Sequence, residues 1–236
     1  MLKETLYLRL EINKTQKMKV AAVITCLFLT IGVYGQESNF GNWIIYFGNK
    51  QINNKWNWHH EVQYRNYDAI GDLEQLLLRT GIGANLSENN NNLLLGYGYI
   101  LSENYVNDEE KVSIEEHRIY QQFITRQKFK RLSIQHRYRF EQRFIEGIDE
   151  MRLRFRYFIA MNLPLSNKTM TDKTFYLSAY NEIFINTTNT IFDRNRVYGG
   201  LGYKVNNTVR FELGYMSQLF SVGSRDQLNI ISFVSF

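Results

Sequence analysis

Residues 151–163 read MRLRFRYFIAMNL, a segment in which two kinds of side chain take turns. Leu153, Phe155, Tyr157, Ile159, Met161 and Leu163 fall on one set of alternate positions, and Arg152, Arg154, Arg156 and Asn162 on the other. Successive side chains of an extended strand point to opposite faces, whereas a helix of 3.6 residues per turn mixes these two sets around its circumference. The segment is therefore a strand with one apolar and one strongly cationic face. The same period recurs in 74–86, where Leu76, Leu78, Thr80, Ile82, Ala84 and Leu86 oppose Gln75, Arg79, Gly81, Gly83 and Asn85. It recurs again in 132–143, where Leu132, Ile134, Tyr138 and Phe140 oppose Ser133, Gln135, Arg137, Arg139, Glu141 and Arg143.

Further segments of this kind are 42–50, 55–67, 92–101, 114–128, 174–185, 194–203, 208–218 and 226–236. Many reach ten residues, beyond the usual five or six of a soluble strand and matched to the roughly 9 to 11 that cross a bilayer at a tilt. Connections at 51–54, 87–91, 129–131 and 205–207 are tight and mostly Asn-rich, while 102–113 and 144–150 are longer and charged. Short turns at one end and longer loops at the other are the pattern of an outer-membrane barrel. A single proline leaves almost every segment free to donate to a sheet ladder, and sixteen Tyr, sixteen Phe and three Trp supply β-favouring side chains.

These observations predict an all-β fold, an antiparallel transmembrane β-barrel of 10 to 12 strands over residues 36–236. Eleven segments are counted, but single-chain bacterial barrels have even numbers, which tilts the expectation toward 12. A soluble lipocalin-like barrel alternates too, with its apolar face inward; strand length, the export signal and the chain's end favour the membrane version. In the last segment Leu228, Ile230, Val234 and Phe236 share a face, with Ser232 the exception. A terminal aromatic of this kind resembles the signal read by the barrel assembly machinery, the one protein partner expected besides outer-membrane lipid. Trp43, Trp56, Trp58, Tyr97 and Tyr99 suit interfacial aromatic girdles.

Residues 1–35 are read as a secretory signal peptide. Lys17 and Lys19 precede an apolar run at 20–33, and Val33-Tyr34-Gly35 supplies a cleavage site before Gln36. The run is shorter than the roughly 20 residues of a membrane-spanning helix. Glu4 and Glu11 sit badly in an n-region, so translation is expected to start at Met18. Cys26, the only cysteine, lies inside the run; cleavage there as a lipoprotein would waste the apolar residues that follow, and the mature chain then holds no cysteine. The localisation expected is the outer membrane of a Gram-negative cell.

The chain from about residue 40 to 236 resembles a family of outer-membrane barrels catalogued as domain of unknown function 2490. The resemblance rests on Gln75-Leu76-Leu77-Leu78-Arg79 before Gly81, on Glu116-His117-Arg118-Ile119-Tyr120-Gln121-Gln122-Phe123 and on Arg137-Tyr138-Arg139-Phe140-Glu141-Gln142-Arg143. Tyr180-Asn181-Glu182 and Asn195-Arg196 ahead of Gly199-Gly200-Leu201-Gly202-Tyr203 complete it. It implies fold and location, and no activity.

On a lipid face each arginine costs roughly 2 to 4 kcal/mol near the midplane, so the charged faces must line the lumen. Two consecutive strands bring Arg137, Arg139, Arg143, Arg152, Arg154 and Arg156 into one basic wall, with Glu61, Glu116, Glu141, Glu182 and Glu212 as acidic partners. The leading expectation is that these pair and fill the interior of a structural or partner-binding barrel. The alternative is a pore for small anions or acidic solutes. A third, a lipid esterase or deacylase, needs a Ser–His pair; Ser133 and His136 are three apart and point to opposite faces, and His59 and His60 are likewise divergent, which disfavours a shared metal. No catalytic residue, cofactor or metal is expected. A net charge of +5 without a basic cluster gives nucleic acid no footing.

Overall fold

A computed structural model describes residues 40–68, 71–87, 90–188 and 190–236; the signal-peptide, start-site and Cys26 readings lie outside them. The described residues form eleven strands: β1 (Gly41–Gln51), β2 (Trp56–Asn66), β3 (Leu73–Asn85), β4 (Asn91–Tyr105), β5 (Lys111–Phe129), β6 (Leu132–Ile145), β7 (Arg152–Pro164), β8 (Thr174–Asn186), β9 (Phe192–Lys204), β10 (Val209–Leu219) and β11 (Ser224–Ser235). Each pairs with its neighbours in sequence, and β1 pairs with β11, so the sheet closes into a barrel without a free edge.

Eleven lies within the expected range, and the evenness that favoured 12 does not apply. Consecutive strands are antiparallel, so in an odd-numbered ring the first and last run the same way. β1 and β11 accordingly pair in parallel, from Gly41 opposite Gln227 to Asn49 opposite Ser235. Parallel pairing is slightly less stable per residue, and the seam carries extra ties. The Phe236 amide donates to the Asn49 carbonyl at 2.9 Å, and the Gln51 amide to the Phe236 carbonyl at 3.1 Å. Ser232, which breaks the apolar face of β11, donates its hydroxyl to the Ile45 carbonyl across the same seam at 3.3 Å.

Odd parity also puts the start of β1 and the end of β11 at opposite rims. The C-terminal rim carries the β1–β2, β3–β4, β5–β6, β7–β8 and β9–β10 connections. Of these, 165–173 is long, an exception to the short turns expected there, and Arg131 ties it down by donating to the carbonyls of Pro164 and Asn167 at 2.6 and 2.9 Å. At the other rim the segment read as a loop at 102–113 is mostly hairpin, because β4 continues to Tyr105 and β5 begins at Lys111. Lys111 there pairs with Asp72 and lies over the rings of Tyr67 and Tyr105, fastening the hairpin to its neighbours.

The apolar face points outward. Leu95 is 60% exposed and Leu213 55%, whereas Glu141 inside is wholly buried. That is the reverse of a lipocalin-like barrel. Trp58, Tyr46 and Phe236 gather around His60 on the outer wall near the C-terminal rim. Tyr97 and Tyr99 flank His117 nearer mid-strand. Trp43 departs from the girdle expectation: it lies in the lumen, 2% exposed, because residues 43, 45 and 47 form the inward set of β1.

Glycines make room for interior tyrosines in this narrow ring. A Cβ on Gly96 would fall 2.2 Å from the Tyr120 ring, one on Gly202 2.1 Å from Tyr176, and those on Gly200 and Gly214 about 2.5 Å or less from Tyr198. In the Gly199-Gly200-Leu201-Gly202 run, Gly200 and Gly202 thus have a packing cause. Gly199 itself points into open space.

Candidate functional site in the lumen

Alternation delivers the charged residues to the interior, and strand register decides who meets whom. Glu141 on β6 sits opposite Arg154 on β7. Its carboxylate accepts from Arg154 Nε and Nη2 at 2.9 and 2.7 Å and from Arg156 Nη1 at 2.7 Å, with Arg139 at 3.6 Å. One strand further, Glu182 accepts from Arg156 Nη2 and Arg137 Nη2, both at 2.7 Å, and stands 3.8 Å from Arg196. Glu61 on β2 takes Arg79 Nη1 at 2.7 Å and a hydrogen bond from Gln63. Toward the N-terminal rim, Glu116 binds Arg118 at 2.5 Å and Arg143 at 2.6 Å. Arg154 reaches on to Asp193 at 2.9 Å.

All five predicted glutamates and five of the six wall arginines are inside and paired. Arg152 is at the rim, 3.9 Å from the exposed Glu150. The six arginines do not present a bare basic wall; register interleaves them with carboxylates. Arg126, Arg194 and Arg196 are lumen arginines that the sequence reading did not single out. Arg194 and Arg196 share the alternation of β9 with Tyr198, and Arg126 continues the inward set of β5, so the same period marks them.

The interior is also less polar than expected. Trp43, Ile45, Tyr198, Met216 and Ile231 form a buried cluster on the β1–β11–β10–β9 side, extended by Phe47, Tyr180 and Phe233. Arginines lie against these and other rings: Arg65 is 3.7 Å from the Trp43 centroid, Arg210 3.8 Å from Phe233, Arg137 4.2 Å from Phe158, and Arg139 and Arg156 4.4 Å from Tyr120 and Phe184.

A cavity of about 450 Å3 reaches the C-terminal rim and one of about 200 Å3 lies toward the other, and Arg65, Arg79, Arg156 and Arg196 line both. Among the described residues no group of three or more His, Cys, Asp or Glu side chains is placed to hold a metal ion.

Among the described residues no hydrogen bond joins a histidine to a serine. His117 meets Tyr97 at 2.5 Å, His136 meets Tyr157 at 2.8 Å and His59 meets Glu61 at 3.4 Å. Ser133 and His136 do diverge, the serine into the lumen and the histidine onto the outer wall.

Fold and interior together define a closed β-barrel with an apolar outer wall and an ion-paired lumen. The chain belongs to the family described as "Protein of unknown function (DUF2490)", whose profile matches residues 40–229. Neither a curated protein nor a solved structure matches it.

Proposed function

We propose that the chain is an outer-membrane barrel of a Gram-negative cell, exported by its first 35 residues, whose lumen is closed and which acts by binding rather than conduction. The observation that carries this reading is the layer of buried ion pairs at mid-lumen behind an apolar outer wall. Ionised groups buried this deeply persist only when paired and hydrogen-bonded, and the pairs span the barrel from Glu61 on β2 to Glu182 on β8. Strands of 11 to 19 residues are long enough to cross a bilayer. Lipid would meet the outward apolar belt, and the last strand, ending at Phe236, is the element offered to the barrel assembly machinery. On this reading the C-terminal rim faces the periplasm.

The test is electrical. The full chain, shown to be folded by heat-modifiable gel migration, is placed in a planar bilayer at high salt. A folded, inserted and silent barrel is the expected result; stable single-channel steps would overturn closure. The excess of lumen arginines over carboxylates supports a second reading, a gated pore for small anions. That reading gains ground if steps appear and reverse toward the chloride potential.

A further inference from the structure

We propose that the cavity at the C-terminal rim is a binding site for a small amphipathic anion, an organic acid with one carboxylate or phosphate and an apolar body. The inference rests on the lumen being closed at mid-height, since the ionic layer is the floor of the site.

The cavity, at about 450 Å3, lies in the range of small-molecule sites. Its two walls differ in chemistry. On the β1–β11 side, Trp43, Ile45, Phe47, Ile231 and Phe233 present apolar surface. Across the lumen, β5 presents Arg126 beside Ile124, Arg137 on β6 is already held by Glu182 at 2.7 Å, and β10 adds Arg210 beside Phe233. Eight arginines line the space against three glutamates. Glu141, which binds Arg139 and Arg156 from behind, still leaves the cations four ahead.

Part of the excess stands at the mouth, and part deeper at Arg65, which is held by the amides of Gln63 and Gln75. Arg126 is held by the neutral amide of Gln135 at 3.1 Å. Arg210 stands 3.9 Å from Glu212, whose Oε1 already accepts from Tyr176 at 2.9 Å. Arg126 on β5 and Arg210 on β10 both line the cavity from well-separated strands of the ring. An anion in the cavity gains guanidinium donors that the lining carboxylates do not saturate, as the fork geometry of arginine favours. An apolar body attached to it reaches the Trp43–Phe233 wall. A bare inorganic anion would leave that wall wet, and a neutral apolar molecule would leave the arginines unmet, so the pair of walls selects a ligand with both parts.

Trp43 is a built-in reporter, because Trp56 and Trp58 lie on the outer surface. The test uses the full chain carrying W56F and W58F, folded in detergent micelles, with 4-(4-nitrophenyl)butyrate as an anionic quencher and the corresponding alcohol as its neutral twin. Saturable quenching of Trp43 by the acid is expected, with at least tenfold weaker binding of the alcohol. Arg126→Gln with Arg210→Gln should bring the acid down to the alcohol's level in a barrel that still shows heat-modifiable migration. Unlabelled 4-phenylbutyrate should displace the quencher, and inorganic phosphate should not at equal concentration. Dodecanoate displacing better than 4-phenylbutyrate would point to a lipid-derived acid, and the reverse to a soluble one. Equal binding of acid and alcohol, full binding by the double variant, or displacement by phosphate alone would each overturn the proposal. The two-probe comparison on the unaltered arginines stands even if the double variant fails to fold. A barrel that stays silent in a bilayer yet binds no acid refutes this site alone. One that conducts, or that binds the acid in micelles but never enters a bilayer, refutes the closed outer-membrane reading instead.

Discussion

Removing one charge from the mid-lumen layer should destabilise the barrel by about 3 kcal/mol. The perturbation is Glu141→Gln. Glu141 is wholly buried and receives two guanidiniums within hydrogen-bond distance and a third at 3.6 Å. Breaking a buried ion pair from one side typically costs about 3 to 5 kcal/mol, because the remaining charge is stranded. Two alternatives soften the loss: Arg154 keeps Asp193 at 2.9 Å and Arg156 keeps Glu182 at 2.7 Å. The amide also keeps one acceptor oxygen, so the lower end of the range applies. The assay is reversible urea unfolding in lipid vesicles, where a loss of this size moves the midpoint by roughly 1 M or more at constant slope. Glu150→Gln, at a rim carboxylate 3.9 Å from Arg152, is the matched control and should stay within about 1 kcal/mol. Adding Arg154→Gln to Glu141→Gln removes one stranded cation, so the double variant should lose less than the sum, with coupling of about 1 to 3 kcal/mol. An E141Q barrel within about 0.5 kcal/mol of the parent, or strict additivity, would refute the view that these pairs form one electrostatic unit.

Three further outcomes follow from the same geometry. Leu95→Arg, on the outward belt, should cost roughly 2 to 4 kcal/mol in vesicles and little in a water-soluble barrel, so vesicle unfolding of this variant tests the membrane reading directly. Gly96→Ala drives a methyl into the Tyr120 ring and should cost about 1 to 3 kcal/mol, while Gly199→Ala, facing open space, should be neutral or slightly stabilising; urea midpoints of the pair decide it. Loss of the Phe236 ring in Phe236→Ala leaves the two backbone bonds of the seam intact, so folded yield in cells, read as the heat-modifiable fraction, should fall further than equilibrium stability does.

Much of this architecture is legible in a period of two. Met151–Leu163 and residues 132–143 each place their arginines on one face, and residues 74–86 place Arg79 likewise; these faces turn inward, with Arg152 at the rim. The period cannot say which face is inside, and an apolar-in barrel has the same alternation; the structure decides through closure. Strand parity was illegible for a different reason. Evenness is a regularity of barrels whose first and last strands meet antiparallel, and nothing local in 42–50 or 226–236 announces that they will pair in parallel. The hairpin at 102–113 was masked by its charges, since Glu103 and Lys111 read as loop residues although β4 and β5 simply run on past the rim.

The interior aromatics hold the least obvious lesson. Trp43, Phe158, Tyr180, Phe184 and Phe233 occupy inward positions and read as lapses in a polar face, yet an interior with more arginines than carboxylates needs them. A guanidinium stacked on a ring loses less to desolvation than one left bare, and such contacts are worth about 0.5 to 2 kcal/mol each. Phe184 alone lies within 4.4 to 6.0 Å of Arg154, Arg156, Arg194 and Arg196, a cluster that Glu141, Glu182 and Asp193 only partly neutralise. Trp43 does the same for Arg65 at 3.7 Å and Arg196 at 4.8 Å, and its other neighbours belong to the apolar wall. The residues that look like faults in the pattern are thus those that let surplus cations stay buried without a counter-charge. At the mouth, where Arg126 is held by the neutral amide of Gln135, an anion from outside has its place.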